Sequence, residues 1–219
     1  MKVKTELIAG LLVFMITGAV FVLSHNRQIA DSKYSMLVSE SLLHHRTFTL
    51  DAYVFPDPGN QNAPGWRGIY HLELIDGHVY YVFPPGSSIL SVPWVALMNS
   101  FGISAANADG TYNPHGERII QALLASILMA AFATLIFFSS RLLLPLTWSL
   151  LIAFAGALGT QVLSTASRGL WSDTWGILLI GLVMYILLAH EANRHEIRPV
   201  LRPTSWVTCR LALSGWLVV

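Results

Sequence analysis

The sequence predicts an all-α polytopic membrane protein with four full transmembrane helices, a truncated fifth, and a folded outer loop of amphipathic helices and a short β-hairpin. Three observations predict it. Of 219 residues, 54% are hydrophobic and only 11% are charged, less than half the roughly 25% usual in soluble domains. Mean hydropathy is +0.57, an excess that one soluble core has no room to bury. The apolar residues fall into separate runs of near-spanning length, and the Lys and Arg residues gather at alternate ends of those runs.

The first run, residues 7–23, follows Lys2 and Lys4. Its 17 residues exceed the core of a signal peptide and end without a small-x-small cleavage site, so it reads as an uncleaved anchor within residues 1–24. Residues 119–139 form the second span, whose 21 residues reach about 31 Å as a helix and match a hydrocarbon core. A third covers 142–162, with Pro145 in its first turn, where proline is tolerated. The fourth covers 174–189, with Trp171 and Trp175 as an interfacial aromatic belt. The partial fifth, 206–219, has only 14 residues and reads as a span cut short. Residues 119–219 are thus expected to form the helical bundle.

Charge sets the orientation. Lys2 and Lys4, Arg141, and Arg194, Arg198 and Arg202 all fall on one side of a four-span layout, the cytoplasmic side. Residues 25–118 and the short 164–173 loop then lie outside, and the long loop carries five Lys and Arg against eight Asp and Glu. The orientation this predicts is that of an integral membrane protein with a cytoplasmic N-terminus. The near-neutral total, 13 basic against 12 acidic residues, excludes a nucleic-acid binder, and a single cysteine excludes a disulfide framework.

Ninety-four residues are too many for a structureless connection. Asp31-Ser32 is expected to cap a helix over residues 33–45, with Tyr34, Leu37, Val38 and Leu42 on one face. Such a helix is expected on the membrane surface or against the spans. Two β-prone runs flank Asp76-Gly77, which predicts a hairpin over residues 68–83. Pro84-Pro85-Gly86 ends it, and Ser87 or Ser88 starts an apolar helix over 89–98, broken or restarted at Pro93 and too short to span. Residues 107–116 return to loop before Glu117 and Arg118 lead into the second span.

Few residues stand out as chemistry-bearing. Asp31, just beyond the first span, is placed to accept a proton from a substrate hydroxyl or to cap its helix. Arg168 lies in the second outward loop, where its guanidinium suits a phosphate, a lipid headgroup or Asp173. Glu117 and Arg118 at the mouth of the second span read the same way. Six of eight histidines lie in the outer loop, yet only His71 and His78, across the hairpin, are placed to meet, and no metal-ligand motif emerges. No cofactor is expected, and no glycine-rich phosphate loop, nucleophile elbow or zinc-protease helix occurs. Gly156 and Gly159 suit close packing of the third span.

The first span, the Asp31-Ser32-Lys33-Tyr34 segment beyond it, the helix that follows and Tyr80-Tyr81-Val82-Phe83-Pro84-Pro85-Gly86 together resemble the multi-spanning glycosyltransferases of the C type. The likeness is to the bacterial protein-mannosyltransferase and aminoarabinose-transferase branch and covers residues 7–191. It implies transfer of a sugar from a polyprenyl-phosphate donor to an acceptor on the outer face of the membrane, with membrane lipid as the other partner. It further implies Asp31 as catalytic acid or base, Tyr34 and Pro84-Pro85-Gly86 as loop scaffold, and Arg168 as a phosphate contact; with Glu117 and Arg118 at the mouth of the second span, Tyr34 and Arg168 make up the expected substrate-binding set. Ser32 departs from the family pattern, where a second acid is common, and the family carries further spans. The competing reading is a non-catalytic membrane protein whose outer loop binds a partner.

Overall fold

A computed structural model of the chain describes residues 2–24, 32–55, 71–167 and 169–195. Its membrane layer is built around one long helix. α1 (Lys2–Leu23), α4 (Pro114–Leu143), α5 (Leu146–Leu158) and α6 (Ser172–His195) form this layer, with α1, α5 and α6 all packed on α4. Ile120, Leu124, Ala125, Met129, Ala133 and Phe137 line the buried face of α4. The small residues matter here. A Cβ on Gly10 of α1 or Gly181 of α6 would press into the rings of Phe138 or Phe132, and one on Gly156 of α5 would crowd Ile136. Glycine therefore lets three helices approach the same rod.

Three helices, over Lys4–Leu23, Pro114–Leu143 and Asp173–Ala192, are long and apolar enough to cross a membrane. Their outward faces are apolar as well. Leu7, Ile8, Leu11, Leu12 and Met15 of α1 and Ile180, Val183, Met184 and Leu187 of α6 are all exposed on the protein surface. So much exposed apolar area is stable only against lipid. The chain is thus built as an integral membrane protein.

The expected third span is shorter than its composition suggests. Pro145 occupies the N-cap of α5 rather than its first turn, and the helix stops at Leu158, with Gly159 at the C-cap. Its 13 residues reach only about 20 Å. Thr160 Oγ1 turns back to bond Gly156 O at 2.6 Å, and a π-helical turn, Val162–Ala166, follows. The α-helical ladder stops at Gly159, and beyond it the Val162 N–H donates to Thr160 Oγ1 at 3.2 Å. The expected fifth span lies outside the described residues.

The second layer holds α2 (Ser35–His44), α3 (Gly86–Ser100) and the hairpin strands β1 (Leu72–Ile75) and β2 (His78–Tyr81). The strands pair antiparallel, with Ile75 opposite His78 and Leu72 opposite Tyr81. Asp76 (φ 51°) and Gly77 (φ 84°) both take positive φ at the turn, which a two-residue hairpin loop requires. The hairpin is therefore as expected, though residues 68–70 fall outside the described residues. Its register corrects the histidine pairing. His71 lies beyond Leu72 at the open end and packs on Phe83, while His78 sits beside the turn and meets Asp51 at 2.7 Å. α3 runs unbroken through Pro93, and Trp94 Nε1 anchors it to Ile120 O of α4 at 3.2 Å.

α2 departs most from expectation. It begins after Tyr34, not at residue 33, and Ser35 through Ser41 are all buried. A solvated polar face is absent because its polar groups are paired inside. Ser39 Oγ donates to Ser88 O at 2.8 Å, Ser41 Oγ to Thr49 O at 2.7 Å, and Glu40 accepts from Ala105 N at 2.6 Å. Of the two placements expected for an amphipathic helix, on the membrane surface or against the spans, α2 takes the second, as a buried strut between α3 and α4.

Candidate functional site

The junction between the two layers carries the largest group of buried polar side chains around α4. α4 starts where Asn113 caps it, its side chain accepting from Gly116 N at 3.1 Å, with Pro114 in the first turn. Residues 114–116 are thus helix rather than the expected loop. A Cβ on Gly116 would sit 1.9 Å from Ser104 O, so only glycine lets the 104–106 segment close over this first turn. The next residue, Glu117, then points inward and is 1% exposed.

Glu117 supplies what the start of α2 lacks. Tyr34, at the N-cap position, makes no side-chain cap bond. The free Met36 N–H instead donates to Glu117 Oε1 at 3.1 Å. A carboxylate from another helix thereby neutralises the positive end of α2. This corrects the assignment of the cap to Asp31-Ser32, because helical geometry starts later than those residues. Glu117 Oε2 has no hydrogen-bond partner among the described residues. Beside it, burial first and the Glu117 charge second push the Tyr112 phenol well above its ordinary range.

Gln121, one turn further along α4, is fully buried and joins three segments. Its Nε2 donates to Ser32 O at 2.8 Å and to Glu117 Oε1 at 3.0 Å. Its Oε1 accepts from Ser32 Oγ at 2.7 Å and from Leu170 N at 3.3 Å. One amide thus holds the chain that leaves the first span, the α4 wall and the turn that enters α6. Buried amides are tolerated when both ends are used in this way.

Tyr34 stands at the centre. Its φ of 72° is left-handed, a conformation that a bulky residue adopts only when its surroundings impose it. Those surroundings are the Phe55 ring, edge-on at 5.4 Å, and the Tyr112 ring at 4.7 Å. Lys33 Nζ lies 4.7 Å from the Tyr34 centroid and 5.9 Å from that of Tyr112. The result is a cation held over an aromatic pair beside a buried carboxylate.

The expected site residues therefore part company. Tyr34 and Glu117 converge. Arg118 is exposed, yet close enough for its charge to act on the Tyr112 phenol. Asp31 and Arg168 lie outside the described residues. Ser32, next to Asp31, and Leu170, two residues beyond Arg168, share Gln121. Lys33, Tyr112 and Gln121 were not anticipated. Gln121 carried one signal, since it lies four residues after Glu117 and must share its helix face.

Next to this junction a cleft of about 510 Å³ opens between the π turn and the start of α6, lined by Thr160, Gln161, Thr165, Trp171, Asp173 and Thr174 among others. Trp171 Nε1 is buried without a partner among the described residues, and Thr174 Oγ1 ties α6 to Gly169 O at 3.3 Å. Single π turns of this kind recur at functional sites. No three His, Cys, Asp or Glu side chains among the described residues converge as a metal site would require. A scan of protein-family models, a search of curated proteins and a search of solved structures each returned no match.

Proposed function

We propose that the chain is a glycosyltransferase-like membrane protein that moves a sugar from a polyprenyl-phosphate donor to an acceptor at the outer face of a bacterial inner membrane. The observation that carries this reading is the Gln121 amide, which gathers Ser32, next in sequence to Asp31, and Leu170, two residues from Arg168, into one junction with Glu117, and Lys33 follows Ser32 over the Tyr34 ring. An amphiphilic donor needs its reacting end at such a boundary, with an acid–base group near the acceptor hydroxyl and cations near the leaving phosphate. In this reading Asp31 takes the proton of the acceptor hydroxyl as its oxygen attacks the anomeric carbon. The bond to the polyprenyl phosphate breaks, and Arg168 and Lys33 stabilise the departing anion.

The rest of the sequence-derived layout belongs to the same proposal. The N-terminus is cytoplasmic, residues 25–118 are outside, and the short α5 completes a four-span bundle together with the π turn after it. Tyr34 holds the loop in place, and Glu117 serves by fixing α2 rather than by touching substrate.

The test is radiolabel transfer from a panel of polyprenyl-phosphate sugars in membrane vesicles, with Asp31→Asn as the discriminating variant. An amide cannot take a proton, so transfer should fall by about 10²–10⁴-fold while expression is unchanged. Normal transfer by the variant would remove Asp31 from the reaction. Absence of transfer from every donor would favour the non-catalytic reading.

A further inference from the structure

On the other side of α2, away from the Gln121 junction, the outer layer contains a cavity of about 670 Å³. Its lining includes Glu40, His44, Tyr53, Asn99 and Asn107. Glu40 lies 2% exposed at its base, with Oε1 accepting from Ala105 N at 2.6 Å and from Ser104 Oγ at 2.8 Å, while Oε2 accepts only the longer Ser104 bond at 3.0 Å. With its nitrogen turned toward Glu40, the Asn99 amide donates to that carboxylate at 3.1 Å and accepts from His44 Nε2 at 3.2 Å. The carboxylate is fixed from below and keeps acceptor capacity.

Tyr53 is the anomaly. It is 9% exposed, its ring meets His45 edge-on at 5.8 Å, and its hydroxyl is buried with no partner among the described residues. A buried hydroxyl without a partner costs about 1–3 kcal/mol, and native folds retain such groups rarely. A ligand in the cavity would relieve that cost.

The chemistry of the walls narrows what that ligand is. Among the described residues no Lys or Arg lines the cavity, which argues against an anion. The single carboxylate already accepts several hydrogen bonds, which argues against a bare cation. Donors and acceptors alternate, and the non-polar lining is small, from Ala52, Gly102 and Ala106. Such a surface offers little to a peptide side chain and much to a ring of hydroxyls.

We propose that this cavity binds an uncharged, hydroxyl-rich molecule, a sugar ring or linear polyol, with the Tyr53 hydroxyl and the Asn107 amide donating and Glu40 accepting. This site is separate from the Gln121 junction, and its occupancy does not require that any sugar be transferred.

The experiment uses the full chain in an amine-oxide detergent, because a sugar-headed detergent would compete. Saturation-transfer NMR titrations are run with neutral methyl hexosides, sorbitol, glucosamine and glucuronate, and a second arm uses vesicles containing a monoglycosyl diacylglycerol. Saturable binding of a neutral probe is expected, and Tyr53→Phe should weaken it about three- to tenfold. Since the hydroxyl bonds nothing in the protein, the same variant should melt at or above the wild-type temperature. Glu40→Gln should weaken binding comparably. Binding confined to the vesicle arm would identify a lipid-borne sugar as the source. The proposal fails if no neutral probe binds in either arm, if a charged sugar binds more tightly than its neutral parent, or if Tyr53→Phe leaves binding unchanged. It fails equally if Tyr53→Phe lowers the melting temperature, because the hydroxyl would then have a structural partner.

Discussion

Replacing Gln121 by leucine keeps the side chain's approximate bulk while removing every hydrogen bond it makes. Ser32 Oγ, Ser35 Oγ and Leu170 N lose their partner, while Ser32 O keeps the Ser35 N–H at 3.0 Å. Met36 N still caps Glu117 Oε1, so the start of α2 is not directly undone. The two hydroxyls can rotate toward other acceptors, but the Leu170 amide is fixed by the backbone. At about 1–3 kcal/mol for an orphaned buried group, that amide alone predicts a loss of about 1–3 kcal/mol. Leucine leaves little cavity, so the loss reports hydrogen bonds rather than packing. Thermal denaturation of the detergent-solubilised protein, followed by tryptophan fluorescence, measures it. Ser126→Ala is the control, because Ser126 Oγ donates only to Ala122 O of its own helix at 2.7 Å and should cost less than about 1 kcal/mol. If Gln121→Leu proved no more destabilising than Ser126→Ala, the amide would not be the tie between the layers.

Two further outcomes are expected. Burial raises the Glu40 carboxyl above its usual 4.5 despite the Ala105 and Ser104 hydrogen bonds. The folded state therefore favours the protonated form, and the stability this supplies is complete below about pH 4.5 and lost as pH rises through the raised value. Glutamine does not titrate, so the wild-type melting temperature should fall relative to Glu40→Gln between about pH 4 and about pH 8; parallel curves would refute this. For the orientation, cysteines are placed singly at the exposed Ala108 and Thr147 in a Cys209→Ser background. An impermeant maleimide should label only position 108 in intact cells, and the reverse pattern would invert the topology.

The hairpin was legible because its signal is local: Asp76-Gly77 demands positive φ at two successive residues, and β-prone residues flank it. The long apolar helices were legible for the same reason, since hydropathy accumulates over adjacent residues. α2 was misread because Ser35, Ser39 and Ser41 count as polar in any pattern, yet carbonyls inside the protein accept from Ser39 and Ser41. The Gln121 tie was legible only as far as the helix face it shares with Glu117. Its partners stand 89 and 49 residues away, and nothing in a helical stretch distinguishes a glutamine that bridges segments from one that faces solvent. The end of α5 falls at Gly159 and a π turn inside an apolar run, and a hydropathy count records neither.

α4 has one consequence for how the outer layer responds to its surroundings. At 30 residues it is about 45 Å long, whereas a bilayer's hydrocarbon is about 30 Å thick. Roughly ten residues of the same rigid rod must therefore stand clear of the acyl chains, and Glu117 and Gln121 fall in its first three turns. The polar junction has no independent mounting: its height above the headgroups is set by how far the rod sinks or leans. A thicker bilayer draws the junction toward the lipid surface, and a thinner one tilts the rod or lifts the junction away. The protein thus carries a fixed ruler, which makes membrane thickness a variable acting directly on its polar centre.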